Sequence, residues 1–381
     1  MTPPLDGLRV VELARILAGP WIGQVLADLG ADVVKVEAPQ GDDTRSWGPP
    51  FYERDGSRES AYFACANRGK RSIALDFGDA ADLATVRALI ARADVVVENF
   101  KVGGLVRFGL DPAALRARHP TLVLCSVTGF GQEGPRAAEA GYDFLIQGMG
   151  GIMDLTGEAD GPPQKPGVAY ADIFTGLYGV IAIQAALAER ARSGTGQHID
   201  LSLFDTQAAV LANQASSFLT AGVVPRRQGN AHPSIVPYQV FPVADGDLVI
   251  ACGNDGQFRK LCAVLGVPDL AEDPRYATNP ARVAERQALV ERISELTRGW
   301  ARAALISALA ADGVPCGPIN TVAEVFADPQ IAARGMVVCP GGVPGVRSPL
   351  RFSVSPLRID RPPPRLDEHR AEILAELAEG L

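Results

Sequence analysis

The sequence predicts a doubly wound α/β fold joined to a smaller α+β unit, and three features carry that expectation. The first half repeats short β-branched runs followed by amphipathic helices, an alternation that builds a parallel sheet with right-handed crossovers. A different texture begins after about Gly229, where two apolar runs flank an Asp-Gly turn of the kind that closes antiparallel hairpins. The third is size, because 381 residues with a hydrophobic fraction of 47% suffice for two packed cores.

Taken in order, Leu8-Arg9-Val10-Val11-Glu12-Leu13, Asp32-Val33-Val34-Lys35-Val36-Glu37, Asp94-Val95-Val96-Val97-Glu98 and Leu122-Val123-Leu124-Cys125 read as strands. Between them, Asp79 to Arg92 sets Leu83, Val86 and Ile90 at helical spacing and leaves Asp82, Arg87 and Arg92 for solvent. Ile173 to Ile183 is the most apolar stretch. It is shorter than the ~18 residues a membrane span needs and reads as a central buried helix, so no membrane partner is expected. Further on, Val236 to Phe241 and Leu248 to Cys252 form the expected hairpin about Ala244-Asp245-Gly246, with helical patterns at 257–265 and 281–312. From 335 onward Gly and Pro, including Pro362-Pro363-Pro364, indicate an extended return closed by a short helix.

The formal charge of −8 argues against a nucleic-acid partner, which would need a basic face. Six cysteines at 65, 125, 252, 262, 316 and 339 include no Cys-x-x-Cys pair, so neither zinc nor a disulfide framework is suggested. Reduced thiols and a cytoplasmic location are the expectation. Asp6, Arg9, Glu12 and Arg15 interrupt any secretory apolar core near the start.

Two motifs compete for the chemistry. Gly129-Phe130-Gly131-Gln132-Glu133-Gly134 follows a strand and fits the dinucleotide fingerprint, but it stands at the fourth strand rather than the first and no apolar helix follows Gly134-Pro135-Arg136. A tight loop without NAD is therefore expected. The four histidines give no Ser-His-Asp or metal spacing. Asp172, in contrast, is the only charged residue between Lys165 and Glu189 and stands at the head of the apolar stretch. Two roles suit it: an N-cap for the helix, or a nucleophile kept ionised by the helix dipole and by amide hydrogen bonds.

A wider set of motifs resolves that choice. Leu5-Asp6-Gly7, Ala18-Gly19-Pro20, Leu29-Gly30-Ala31-Asp32-Val33-Val34-Lys35-Val36-Glu37, Asn67-Arg68-Gly69-Lys70-Arg71-Ser72-Ile73-Ala74-Leu75-Asp76, Val97-Glu98-Asn99-Phe100, Gly141-Tyr142-Asp143, Asp172, Gly194-Thr195-Gly196-Gln197 and Gly313-Val314-Pro315-Cys316-Gly317-Pro318 occur in order. Together they resemble the class III (CaiB/BaiF-type) coenzyme A transferases across essentially the whole chain. The resemblance implies a Rossmann-like large domain from residues 1–200 with 330–381, a small α+β domain at 225–325, a linker at 201–224, and an interlocked homodimer. It also implies Asp172 as the nucleophile that takes an acyl group from an acyl-CoA, with no permanently bound cofactor and coenzyme A as substrate. By the same resemblance Leu17, Ala18, Leu75, Asp76, Phe77, Gly78, Asn99, Phe100, Lys101, Arg107, Tyr142 and Asp143 line the coenzyme site, and Lys70 and Arg71 are added as phosphate partners.

Two departures bear on substrate. Ala38 replaces an arginine that contacts coenzyme A in formyl-CoA transferase, and Leu17 replaces a glutamine near its formyl group, which argues against formyl-CoA and oxalate. The stretch Gly229 to Gln239 looks most like that of succinyl-CoA:glutarate transferases, so small dicarboxylates are expected, with His232 and Ser234 as donors to the remote carboxylate. The α-methylacyl-CoA racemases share the fold and place a basic histidine where Tyr142 stands here; a phenol is a poor proton shuttle near neutrality, which leaves racemization the weaker alternative. A catalytically inert coenzyme A binder has the same motifs and is separated from both by turnover.

Overall fold

Six parallel strands form the large sheet: Arg9–Glu12, Asp32–Glu37, Arg71–Ala74, Val95–Glu98, Val123–Thr128 and His198–Ser202. Numbered as they enter the sheet they lie in the order 3-2-1-4-5-6, the doubly wound arrangement of dinucleotide-binding folds. Successive side chains point to opposite faces, and both faces are covered. Val10, Val33, Val95 and Val123 pack with Ile22, Leu26, Val180 and Ile183 on one side, while Val11, Val34, Val96 and Leu124 pack with Val86, Ile90 and Ile373 on the other. Burial on both faces is why these strands read as unbroken β-branched runs.

Two strands escaped that signal. Arg71–Ala74 begins with a charge, which is buried only because its guanidinium meets Asp32 at 3.0 Å, Glu372 at 3.0 Å and Glu376 at 2.8 Å. His198–Ser202 alternates Ile199 and Leu201 with His198 and Asp200 and lies at the sheet edge. The opposite edge, Arg71–Ala74, is covered by the chain's return, where the Ala74 amide donates to Asp367 and the His369 amide to the Ser72 carbonyl. The closing helix follows at Arg370–Glu379.

This computed structural model describes residues 1–379 and forms two compact units, one of Met1–Met153, Lys165–Val223 and the chain from Pro329, the other of Asp154–Gln164 and Val224–Asp328. Residues 201–224, expected as a linker, are instead mostly strand end and two helices, Leu203–Ala209 and Ala212–Ala221, of the large unit. Ser202 starts the first of these by accepting from the Asp205 amide. Residues 154–164, expected in the large domain, belong to the second unit.

The apolar stretch after Asp172 is part of a 24-residue helix, Tyr170–Ser193, closed by Gly194 at φ 73°. By length and composition this helix can cross a membrane. Packing accounts for one face of it, while Leu177, Tyr178 and Ile181 stay exposed. Gly176 and Gly179 admit the Ala18–Asp28 helix so closely that a Cβ at the first would lie 2.9 Å from Trp21 and at the second 2.4 Å from Ile22.

In the second unit, Tyr238–Val243, Gly246–Ala251 and Cys316–Pro318 form an antiparallel sheet with Gly246–Ala251 central. The helical region 281–312 is divided into Asn279–Ala284, Arg286–Thr297 and Arg302–Ala311. Arg282 is fully buried there, donating to the Val236 and Tyr276 carbonyls and to Asp255 while lying over the Phe258 ring.

Candidate active site

The sheet order reverses between Arg9–Glu12 and Val95–Glu98, and the crevice beyond the carboxyl ends of such strands is where open α/β sheets bind ligands. Here it is a cleft. Arg15, Leu17 and Ala18 line it after the first strand, Asn99, Phe100 and Lys101 after the second, and Thr128, Gly129, Tyr142 and Asp172 complete its walls. The Asn99 side chain ties the two loops together, accepting from the Arg15 amide at 3.0 Å and donating to the Arg15 carbonyl at 2.7 Å.

Asp172 is 8% exposed and sits in the first turn of its helix, three residues after the N-cap Ala169. It is not the N-cap. That task falls to Asp143, whose carboxylate accepts from the Ala171 amide at 2.9 Å, the Asp172 amide at 3.3 Å and the Gln147 amide group at 2.6 Å. The carboxylate of Asp172 has no hydrogen-bond partner among the described residues. Burial, and then the Asp143 charge, push its pKa from 3.8 up to about 7. The expected stabilisation by dipole and amides is therefore outweighed, since the helix amides nearby are already taken by Asp143. A carboxylate so placed is weakly solvated and strongly nucleophilic once ionised.

Beside this group lies an aromatic strip suited to an elongated ligand. Phe100 stacks on Phe77 at 6.0 Å, Phe77 meets Phe108 edge-on at 5.5 Å, and the Arg107 guanidinium lies over Phe108 at 4.5 Å. Arg107 makes no ion pair among the described residues. Thus Leu17, Ala18, Asn99, Phe100, Lys101 and Tyr142 line the cleft directly, and the Leu75 to Gly78 turn and Arg107 continue from it through the Phe77 contact.

The family model of CoA-transferase family III matches residues 5–370. The chain belongs to this family. It is 57% identical, over 98% of its length and 96% of the relative's, to a succinate–glutarate CoA-transferase of Agrobacterium fabrum. It is 42% identical, over 98% and 86%, to a succinyl-CoA:glutarate CoA-transferase of Mus musculus. The crystal structure of a CaiB/BaiF family protein from Brucella suis superposes with a TM-score of 0.91 at 62% identity, covering 99% and 100% of the two chains.

For a CoA-transferase, several expected contacts need correction. Asp143 accepts from the Ala171 and Asp172 amides, so its carboxylate holds the start of the Asp172 helix. Lys70 is fully buried, bound to Glu12, the Pro20 carbonyl and Asn67, and Arg71 is buried in its carboxylate cluster, so neither is open to a phosphate. In the second unit, His232 accepts the Ser234 amide at Nδ1, 3.1 Å, which leaves Nε2 as the donor of the neutral ring. The Gly129 to Gly134 loop spends the amides a pyrophosphate would use, Gly131 on Thr128 Oγ1 and Gln132 on Asp200. It follows the fifth strand of the sheet, not the fourth.

Two features went unread in the sequence. Tyr62, on the short helix Ala61–Asn67, packs edge-on to Trp47 at 5.1 Å, and its phenol is pushed up to about 12 by burial and then by the Asp172 carboxylate. Nothing local marks it, because its significance comes only from the approach of Asp172. Glu98, Ser126 and His198 also stand side by side on neighbouring strands, with His198 Nε2 2.9 Å from Ser126 Oγ. Ser126 is fully buried, so this row is structural rather than a triad.

Proposed function

We propose that this transferase moves coenzyme A between small dicarboxylates, with succinyl-CoA as donor and glutarate or a similar diacid as acceptor. One observation carries the chemistry: a buried, unpartnered carboxylate, Asp172, lines the switch-point cleft beside the aromatic strip. Ionised Asp172 attacks the thioester carbonyl and expels CoA thiolate, leaving an acyl-aspartyl anhydride. The thiolate attacks the aspartyl carbonyl, the donor acid departs as carboxylate, and an aspartyl-CoA thioester remains. The acceptor carboxylate attacks that thioester and again releases thiolate, which takes the new acyl group from the second anhydride and regenerates Asp172. No proton is consumed overall. The activation of the thioester is conserved only while water is excluded, which apolar walls favour.

Succinate and glutarate are supported by the names of two similar relatives, both transferases, and this weighs against racemization. Within the second unit, His232 and Ser234 are proposed as donors to a carboxylate, and Arg286, which donates to the Pro233 carbonyl and whose buried Nη1 has no partner among the described residues, offers charge beside that loop. Arg107 is proposed to meet a coenzyme phosphate. A cytoplasmic, interlocked homodimer completes the proposal; exposed Leu177, Tyr178 and Ile181 on the Tyr170–Ser193 helix are the kind of surface a second copy covers. The test is to incubate succinyl-CoA with a panel of mono- and dicarboxylates. Formation of glutaryl-CoA at a kcat/KM at least about tenfold above that for the monoacid of equal length supports the reading. Equal rates refute the dicarboxylate preference.

A further inference from the structure

The segment that carries the first strand into the Ala18–Asp28 helix contains a conformational outlier. Ile16 has φ 72°, in the left-handed region that a β-branched residue strongly resists. Four side chains hold it there. Lys35 donates to the Ala14 carbonyl at 2.8 Å, Asn99 brackets Arg15 at both amide and carbonyl, Asp42 accepts from the Ile16 amide at 3.1 Å, and Lys70 donates to the Pro20 carbonyl at 2.8 Å. Asp42 is itself fixed. Its carboxylate is 3.0 Å from Lys35 Nζ and accepts from the Thr44 amide and hydroxyl, and its amide donates to Glu37.

The turn delivers a helix start with no side-chain cap, in which Pro20 lacks an N–H and the Ala18 and Gly19 amides have no partner among the described residues. Ala18 lines the same cleft as Asp172, a residue only 8% exposed whose carboxylate has no hydrogen-bond partner among the described residues. The two helices touch at this level: a Cβ on Gly176, one turn beyond Asp172, would stand 3.1 Å from the Ala18 carbonyl oxygen.

We propose that Asp42 is a positioning residue for acyl transfer: it locks the left-handed turn at Ile16 and so aims the free Ala18 and Gly19 amides at the oxygen that becomes negative during attack by Asp172. Such donors work only when already oriented, because reorganisation during the reaction cancels their benefit. The assignment rests on Asp172 being the nucleophile, and it concerns the rate of the step rather than coenzyme affinity.

The experiment compares Asp42→Ala, Asp42→Asn and the double variant Ile16→Gly with Asp42→Ala, reading melting temperature, kcat, KM for acyl-CoA, and the rate at which hydroxylamine traps acylated Asp172. Folded Asp42→Ala is expected to lose at least about tenfold in kcat and in trapping rate with KM within about twofold. Glycine adopts positive φ without strain, so Ile16→Gly should restore at least about fivefold of that loss. Asp42→Asn keeps the acceptor and should stay within about threefold of the parent. An unchanged kcat in Asp42→Ala, or no rescue by glycine in folded protein, overturns the proposal. If the alanine variant does not fold, Asp42→Asn decides: a fall of more than about tenfold overturns it and retention supports it. A parent enzyme that yields no hydroxamate at Asp172 would instead remove the nucleophile reading beneath it.

Discussion

Two groups of buried carboxylates flank the same helix start and meet opposite fates. Glu12 and Asp42 are as buried as Asp172 but share Lys35 and Lys70, with Lys35 Nζ 3.1 Å from Glu12 and 3.0 Å from Asp42, and Lys70 Nζ 2.8 Å from Glu12. Burial alone would raise the Asp42 pKa, yet Lys35 and the Thr44 hydrogen bonds hold it below the ordinary value. Asp172 makes no ion pair among the described residues, and burial and then the Asp143 charge push it up to about 7. The same desolvation thus builds structure where charges are paired and reactivity where they are not.

The largest expected effect breaks the unpaired side. Asp172→Asn should lower transfer by at least about 10⁴-fold while coenzyme A still binds, as loss of a covalent nucleophile requires. Its stability should move the other way. A carboxyl whose folded pKa is raised from 3.8 to about 7 contributes fully below pH 3.8 and loses that contribution as pH rises through 7. The asparagine variant should therefore gain in melting temperature over the parent as pH rises, levelling above about pH 7 with a ceiling of about 4 kcal/mol. In the parent, kcat/KM should rise with pH toward the same midpoint. A gap that does not change with pH would contradict the unpaired assignment.

The next perturbation breaks the paired side. Glu12→Gln leaves Lys35 and Lys70 short of a counter-charge and should cost about 3 to 5 kcal/mol in urea denaturation at neutral pH. Burial already lowers the Lys70 pKa to about 8 against the pull of Glu12. The loss should accordingly shrink at higher pH, where Lys70 sheds its proton.

Smaller effects sharpen the comparison at the periphery. Arg107→Ala should weaken coenzyme A binding by about 1.5 to 3 kcal/mol and flatten its salt dependence, measured by calorimetry at two ionic strengths. An unchanged affinity would return Arg107 to the solvated surface. His232→Ala should erase most of a tenfold diacid preference, about 1.4 kcal/mol, while sparing the monoacid rate.

The sequence made Asp172 conspicuous through its isolation, and four of the sheet strands through their runs of buried Val. It hid Arg71–Ala74, because a strand that begins with a charge reads as surface until Asp32, Glu372 and Glu376 converge on it. The part that Asp143 and Tyr62 play beside Asp172 stayed hidden for a related reason. Each acts on Asp172 from a distant part of the chain, one through its helix amides and one through proximity in the fold. The protonation of Asp172 could not be judged locally either, since position at a helix start suggests a lowered pKa, and it is burial in the folded chain, reinforced by the Asp143 charge, that reverses the sign.

The central claim is that Asp172 becomes acylated. Enzyme mixed with succinyl-CoA and quenched with hydroxylamine, then digested and mapped by mass spectrometry, should carry a hydroxamate at Asp172 and at no other carboxylate, and only when the donor thioester is present. Full transfer activity in Asp172→Ala, or a hydroxamate at a different residue, would contradict it.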